Sequence, residues 1–264
     1  MDFIIKLLDL RMQEPDFYSN FSNSWFHYLS LLLTFLSFIY LMILFRKSST
    51  RKIKRTLLIL GIVMLLFEVY KQFIFTYQAG SYQWYAFPFQ FCSTPMYLYV
   101  IYGLSKNDSL DRYLHAFLAT YATFAGLAVM LYPQSVFVDT IGINIQTMVH
   151  HGLMASVGLA LLFSKPRLTY KDLFKAMFVF IMLIVIAYTL NTLFDMFIHD
   201  GVFNMFFISP KFGTGLPILS LIQPRVPSFV FLVIYTLGFS LMAVLILNIK
   251  YLTDNFMLKL SALK

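Results

Sequence analysis

Residues 46–55 read RKSSTRKIKR, six basic side chains in ten positions. On either side lies an apolar run, 25–45 before it and 56–77 after it. A bilayer core takes about 20 residues of apolar helix to cross. Each run is therefore long enough to span, and the basic segment reads as a tight connection held at the cytoplasmic surface by its charge. The same pattern recurs at 86–104, 113–132, 143–163, 174–198 and 228–249. Backbone groups have no water partner in hydrocarbon, so these runs should be helices. No alternating strand pattern supports a barrel. The expectation is an all-α, polytopic membrane helical bundle with seven transmembrane helices, a single domain over 1–264.

Composition agrees. Of 264 residues, 59% are hydrophobic and 12% charged, with a mean hydropathy of +0.75, whereas soluble domains carry about a quarter charged residues. One cysteine cannot form an internal disulfide. The start, MDFIIKLLDLRMQEPD, lacks the features of a secretory signal. The net charge of +8 does not point to nucleic acid, because the basic residues cluster in short connections. Fifteen of the 20 Lys and Arg residues fall at one end of the spans, and four (Lys6, Arg11, Lys211 and Arg225) at the other, with Lys71 inside a span. That bias places the N-terminus outside and the C-terminus in the cytoplasm, a multi-pass protein of the cell membrane. Residues 3–10, FIIKLLDL, read as a short amphipathic helix on the outer surface. The long apolar connection 199–227 reads either as an outer lid over something or as a plain structural loop.

The polar residues of the spans converge in depth. With the third span starting outside, Cys92 lies two turns in, about 10 Å at the helical rise. His150 and His151 in the fifth span match that depth. Asn191, Asp195 and His199 recur every four residues near the outer end of the sixth span and share one face. Glu68 and Lys71 lie one turn apart in the second. Ionisable groups in a membrane usually face a bundle interior or a wet cavity, so this set implies a polar pocket open to the outer leaflet, while the inner halves of these helices read as nearly all apolar.

Each piece also has a structural reading. Glu68 and Lys71 neutralise one another; Pro88 and Pro95 kink a helix; a buried cysteine is an inert small hydrophobe; one histidine is an interhelical hydrogen bonder; Tyr82, Trp84 and Tyr85 are interface anchors. The functional reading is a Cys/His dyad. A thiol in apolar surroundings is a poor nucleophile until an imidazole takes its proton, and Asp195 or Asn191 could orient that imidazole. His150 and His151 stand about 100° apart on a helix and do not chelate one metal ion.

Further motifs carry a resemblance: P-F-x-x-C-S ahead of Thr94, His151-Gly152, Asn191, and then Asn204, Phe206, Pro210 and Lys211. From about 57 to 245 the chain resembles the integral-membrane family of transmembrane protein 164 and its bacterial YwaF-like relatives. The resemblance implies a cysteine-dependent acyltransferase acting on phospholipid acyl chains, with Cys92 as nucleophile and His151, or its neighbour His150, as base. Gln90 stands where relatives often have His, and the lid has Gln223-Pro224-Arg225 in place of a Pro-Trp element. The expected reaction is acyl transfer or hydrolysis on phospholipid or lysophospholipid esters in the outer leaflet, through a thioester and without a cofactor. Asn191, Gln90 or Thr94 would serve the oxyanion. Lys71, Lys211 or Arg225 would hold the lipid phosphate, with Glu68, His199 and Asn204 completing the substrate site. The rival expectation is a non-catalytic lipid-binding or transport protein with a polar outer cavity.

Overall fold

The computed structural model describes residues 2–133, 136–198 and 201–262. The chain forms α1 (Asp2–Leu8), α2 (Phe21–Lys47), α3 (Thr50–Ala79), α4 (Thr94–Leu104), α5 (Asp108–Leu131), α6 (Ile141–Leu162), α7 (Tyr170–Phe197) and α8 (Ser228–Ala262). Among the described residues there is no strand, only an isolated bridge between Arg11 and Thr140. Six helices, α2, α3, α5, α6, α7 and α8, are long and apolar enough to cross a membrane.

Local chemistry sets the helix ends. The connection in RKSSTRKIKR shrinks to Ser48 and Ser49, and the six basic side chains ride on the last turn of α2 and the first turns of α3. Ser49 caps α3 by accepting from Lys52 N. Asn20 caps α2, and Asn107 caps α5. α3 stops at Gly80, whose φ of 69° is the left-handed cap that favours glycine. α7 begins with a capping box between Thr169 and Asp172.

The expected continuous helix over 86–104 is corrected. Only Thr94–Leu104 is helical, 11 residues, or about 16 Å at the helical rise. Ahead of it run a single 3₁₀ turn, Trp84–Ala86, and an irregular approach. Pro95 sits in the first turn of α4, where its missing N–H costs nothing, while a longer helix would drive its ring against the carbonyl of Phe91. That carbonyl instead accepts the Thr94 hydroxyl at 2.9 Å. Tyr97 reaches back to donate to Pro88 O at 2.8 Å. Cys92 therefore lies in a turn before a helix, not two turns inside one. Non-helical backbone at membrane depth is tolerated where protein surrounds it, and Phe91 and Ser93 are buried.

α6 is the most buried span and α2 the most peripheral. α5 lies against α6 at small residues, as close membrane helices do. A Cβ on Gly126 would stand 2.6 Å from Ala155 N and 2.8 Å from His151 O, so only glycine lets α5 approach the stretch of α6 that carries the histidines. α5 also contains a π turn, Leu118–Ala122, where the Thr123 hydroxyl donates to the Leu118 carbonyl at 3.1 Å.

At the basic end, Arg112 of α5 grips Asp172 of α7, and its Nη2 donates to Arg167 O at 2.8 Å. Lys54 pairs with Asp111, and Tyr102 approaches His115 Nδ1 at 3.3 Å. This buried polar cluster lies at the ends of the spans and in their connections, beside the apolar halves of the helices. At the opposite end α1 is tied down by Tyr70, which donates to Leu8 O at 2.7 Å. Phe3, Ile4 and Leu7 of α1 face outward.

Candidate functional site

Three elements meet at that end: α3, the turn before α4, and the connection after α7. On α3, Glu68 is buried and accepts from Lys71 Nζ at 2.8 Å and from Gln72 Nε2 at 2.7 Å. The spacings of three and four put all three on one helix face. Gln72 also donates to Ala86 O at 2.6 Å, tying the pair to the irregular approach.

In the turn, Ser93 N and Thr94 N both donate to Gln90 O, at 2.8 and 3.2 Å. His150 of α6 donates from Nε2 to the backbone carbonyl of Cys92 at 2.8 Å. His151 turns back on its own helix and donates from Nδ1 to Thr147 O at 2.8 Å. A carbonyl only accepts, so the proton of each neutral ring sits on that nitrogen. The other ring nitrogens, His150 Nδ1 and His151 Nε2, are buried without a partner among the described residues and present lone pairs. The two rings are 5.6 Å apart.

The connection after α7 docks into the bundle. Phe203, Met205, Phe206 and Ile208 are buried, and the Phe206 ring packs on Phe89, Phe91 and Phe180. Asn191 holds Met205 twice, donating to its carbonyl at 3.1 Å and accepting from its N–H at 2.8 Å. Gln90 does the same across 204–206, donating to Asn204 O at 3.0 Å and accepting from Phe206 N at 2.9 Å. Phe206 and Phe207 have φ of 59° and 57°, a left-handed conformation that costs about 1–2 kcal/mol per non-glycine residue. The four bonds from Asn191 and Gln90 hold that segment in place. Asn204 closes the next turn through Ser209 N and Gly213 O. Gln223 spans the loop from Ser209 O and Phe212 O to Thr214 N. Gln223, Gln72 and the Phe206–Phe207 pair carry this geometry without having stood out as site residues; the signal for Gln223 was an amide in an otherwise apolar loop.

Between these elements lies a cavity of about 530 Å³, walled by Lys71, Gln90, Cys92, Ser93 and Asn204 together with aromatic rings that include Phe75 and Tyr85. Ser93, beside the thiol, is a wall residue that sequence reasoning passed over. Neither imidazole is on the wall; His150 meets the Cys92 carbonyl from α6. A second cleft of about 260 Å³ shares Phe75 and Tyr85 and continues to Gln78, Gln83 and Asp139.

The remaining candidates lie apart. Thr94 is buried with its hydroxyl on Phe91 O. Asp195 pairs with Lys211 at 3.4 Å, away from the histidines, and Lys211 also lies over the Phe212 ring. Arg225 is exposed and donates to Leu221 O at 2.8 Å. His199 lies outside the described residues. Among those described, no group of three or more His, Cys, Asp or Glu side chains could hold a metal ion.

A family model, the TMEM164 family, matches residues 20–251. No curated protein and no solved structure matches the chain.

Proposed function

The chain belongs to the TMEM164 family, and from that premise we propose that it is a membrane-embedded acyl-transfer enzyme acting on phospholipid or lysophospholipid esters. The observation that carries the reading is the placement of the chain's one thiol on the wall of a cavity it shares with a half-buried cation, Lys71, under a docked loop. In the proposed topology the chain crosses seven times, the 84–104 segment as a broken span. The N-terminus is outside, the C-terminus is cytoplasmic, and the cavity faces the outer leaflet of the cell membrane.

A phospholipid enters sideways with its ester at Cys92. The thiol proton passes to an imidazole, and the thiolate attacks the acyl carbonyl. The tetrahedral intermediate expels the lysolipid alkoxide, which takes that proton back, and a thioester remains. A lysolipid hydroxyl or water then attacks the thioester and restores the thiol. His151 is the proposed base, as the family resemblance implies, with an Nε2 lone pair that is uncommitted like that of His150 Nδ1, and His150 positions the nucleophile through the Cys92 carbonyl. With the loop docked, Gln90, Asn191 and Thr94 have their donors engaged, so Ser93 on the cavity wall becomes the proposed oxyanion donor. Lys71 is the proposed ligand of the lipid phosphate.

The test is acyl exchange between a labelled phospholipid and a lysophospholipid in proteoliposomes. Cys92→Ser should abolish exchange while the fold survives. One observation favours the rival, a non-catalytic lipid-binding protein: the wall contains the thiol and no imidazole. On that reading Cys92→Ser would leave lipid binding unchanged and there would be no exchange to lose.

A further inference from the structure

In this reaction a thiolate must form before the ester reaches it, and its charge needs a counter-ion in a site with little water. We infer that Lys71 holds the Cys92 thiolate and then hands its charge over to the lipid phosphate. This rests on the acyl-transfer reading and adds a catalytic residue to it. Lys71 walls the same cavity as Cys92. Glu68, one turn before Lys71 on α3, is its ion-pair partner. An ammonium has three N–H donors; Glu68 takes one at 2.8 Å, and among the described residues the others have no acceptor and Lys71 lines the cavity. Glu68 is fixed by Gln72, which is bonded to Ala86 O, so the ammonium is pre-placed rather than swinging freely. Each imidazole, by contrast, has committed its N–H to a backbone carbonyl. A cation near a thiolate is the usual means of keeping that thiolate at neutral pH, and the attraction grows as the dielectric falls.

The charges balance through the cycle. The sulfur loses its proton to the imidazole and pairs with the Lys71 ammonium. When the sulfur–acyl bond forms, the thiolate charge disappears and Lys71, still protonated, is released to the phosphate. Lys71 itself never transfers a proton.

Because the chain has one cysteine, alkylation of the full-length protein by N-ethylmaleimide in lipid nanodiscs reports Cys92 and nothing else. The groups around it are Lys71 on the same cavity wall with Glu68 bonded to it, Ser93 beside the thiol, His150 of α6 at the Cys92 carbonyl, and Tyr235 of α8. Lys71→Met alone would leave Glu68 buried and unpaired, so the informative variant is the neutral pair Glu68→Gln with Lys71→Met. Its labelling near neutral pH should be slower than that of Glu68→Gln alone by about tenfold or more, the change one pKa unit produces, with the rate recovered only at more alkaline pH. Lys71→Arg should restore the rate. Glu68→Gln alone frees the ammonium and should speed labelling, which decides the matter if the double variant does not fold. Equal labelling in the neutral pair and in Glu68→Gln alone, or no gain in Glu68→Gln over wild type, overturns the role of Lys71. Acyl exchange that survives Cys92→Ser defeats the underlying reading instead, so the two failures are distinct.

Discussion

His150 donates its Nε2–H to the backbone carbonyl of Cys92 at 2.8 Å, joining the most buried helix of the bundle to the turn that presents the thiol. The histidine thus reaches the cysteine residue through its main chain. Removing it should disturb the turn before it disturbs any proton transfer.

His150→Ala leaves a buried carbonyl without its donor, a loss of about 1–3 kcal/mol. Thermal unfolding in detergent should show a lowered midpoint, and His150→Gln should recover part of it. His151→Ala removes a bond to its own helix and should cost less stability, while in the proposed mechanism it stops acyl exchange. Equal stability losses in the two alanine variants would contradict this division of roles.

Asn191→Ala removes both bonds to Met205 and strands an N–H and a carbonyl in the interior. Each unpaired group costs about 1–3 kcal/mol, and the left-handed Phe206 and Phe207 lose one of their two clamps. Hydrogen exchange should accelerate at 203–208 and little elsewhere. Unchanged exchange there would mean that the Phe206 ring packing alone holds the loop.

How much of this was legible depends on what repeats in sequence. Apolar runs of span length are read from composition, and the basic pairs flanking Ser48–Ser49 mark where the chain turns. The break before α4 was not legible, because an apolar stretch reads the same whether helical or irregular. Pro88 and Pro95 hinted at it, but a proline in a membrane helix is as often a kink. Cys92, His150 and Lys71 do meet at one end, although the depth of Cys92 was reckoned along a helix that does not extend to it. Depth could not show that His150 meets the Cys92 carbonyl, or that Asn191 and Gln90 both reach the connection after α7. Those bonds go to backbone groups, which leave no mark on residue identity. Asp195 and Lys211 were read separately as an orienting and a phosphate-binding residue; they pair with each other across the fold.

Asp172 gathers Arg112, Lys175 and the Thr169 cap on one buried carboxylate. Asp172→Ala leaves Arg112 without its partner, at about 3–5 kcal/mol for a broken buried pair. Expression or the unfolding midpoint should fall sharply, with the Cys92 cavity uninvolved: any folded fraction should keep normal Cys92 labelling.

The orientation has its own check. Reporter tags at the C-terminus and in the 46–55 connection should both be cytoplasmic, and a tag at the N-terminus external. An external 46–55 tag would reverse the leaflet assigned to the cavity.

The most direct test of the account is the covalent state of Cys92 during turnover. Intact-mass measurement of the full-length protein, quenched in acid after mixing with phospholipid, should show one added acyl chain on the wild type. That adduct should be removed by neutral hydroxylamine, as a thioester is, and be absent from Cys92→Ser. Acyl exchange proceeding with no such adduct, or at the same rate in Cys92→Ser, would contradict the account.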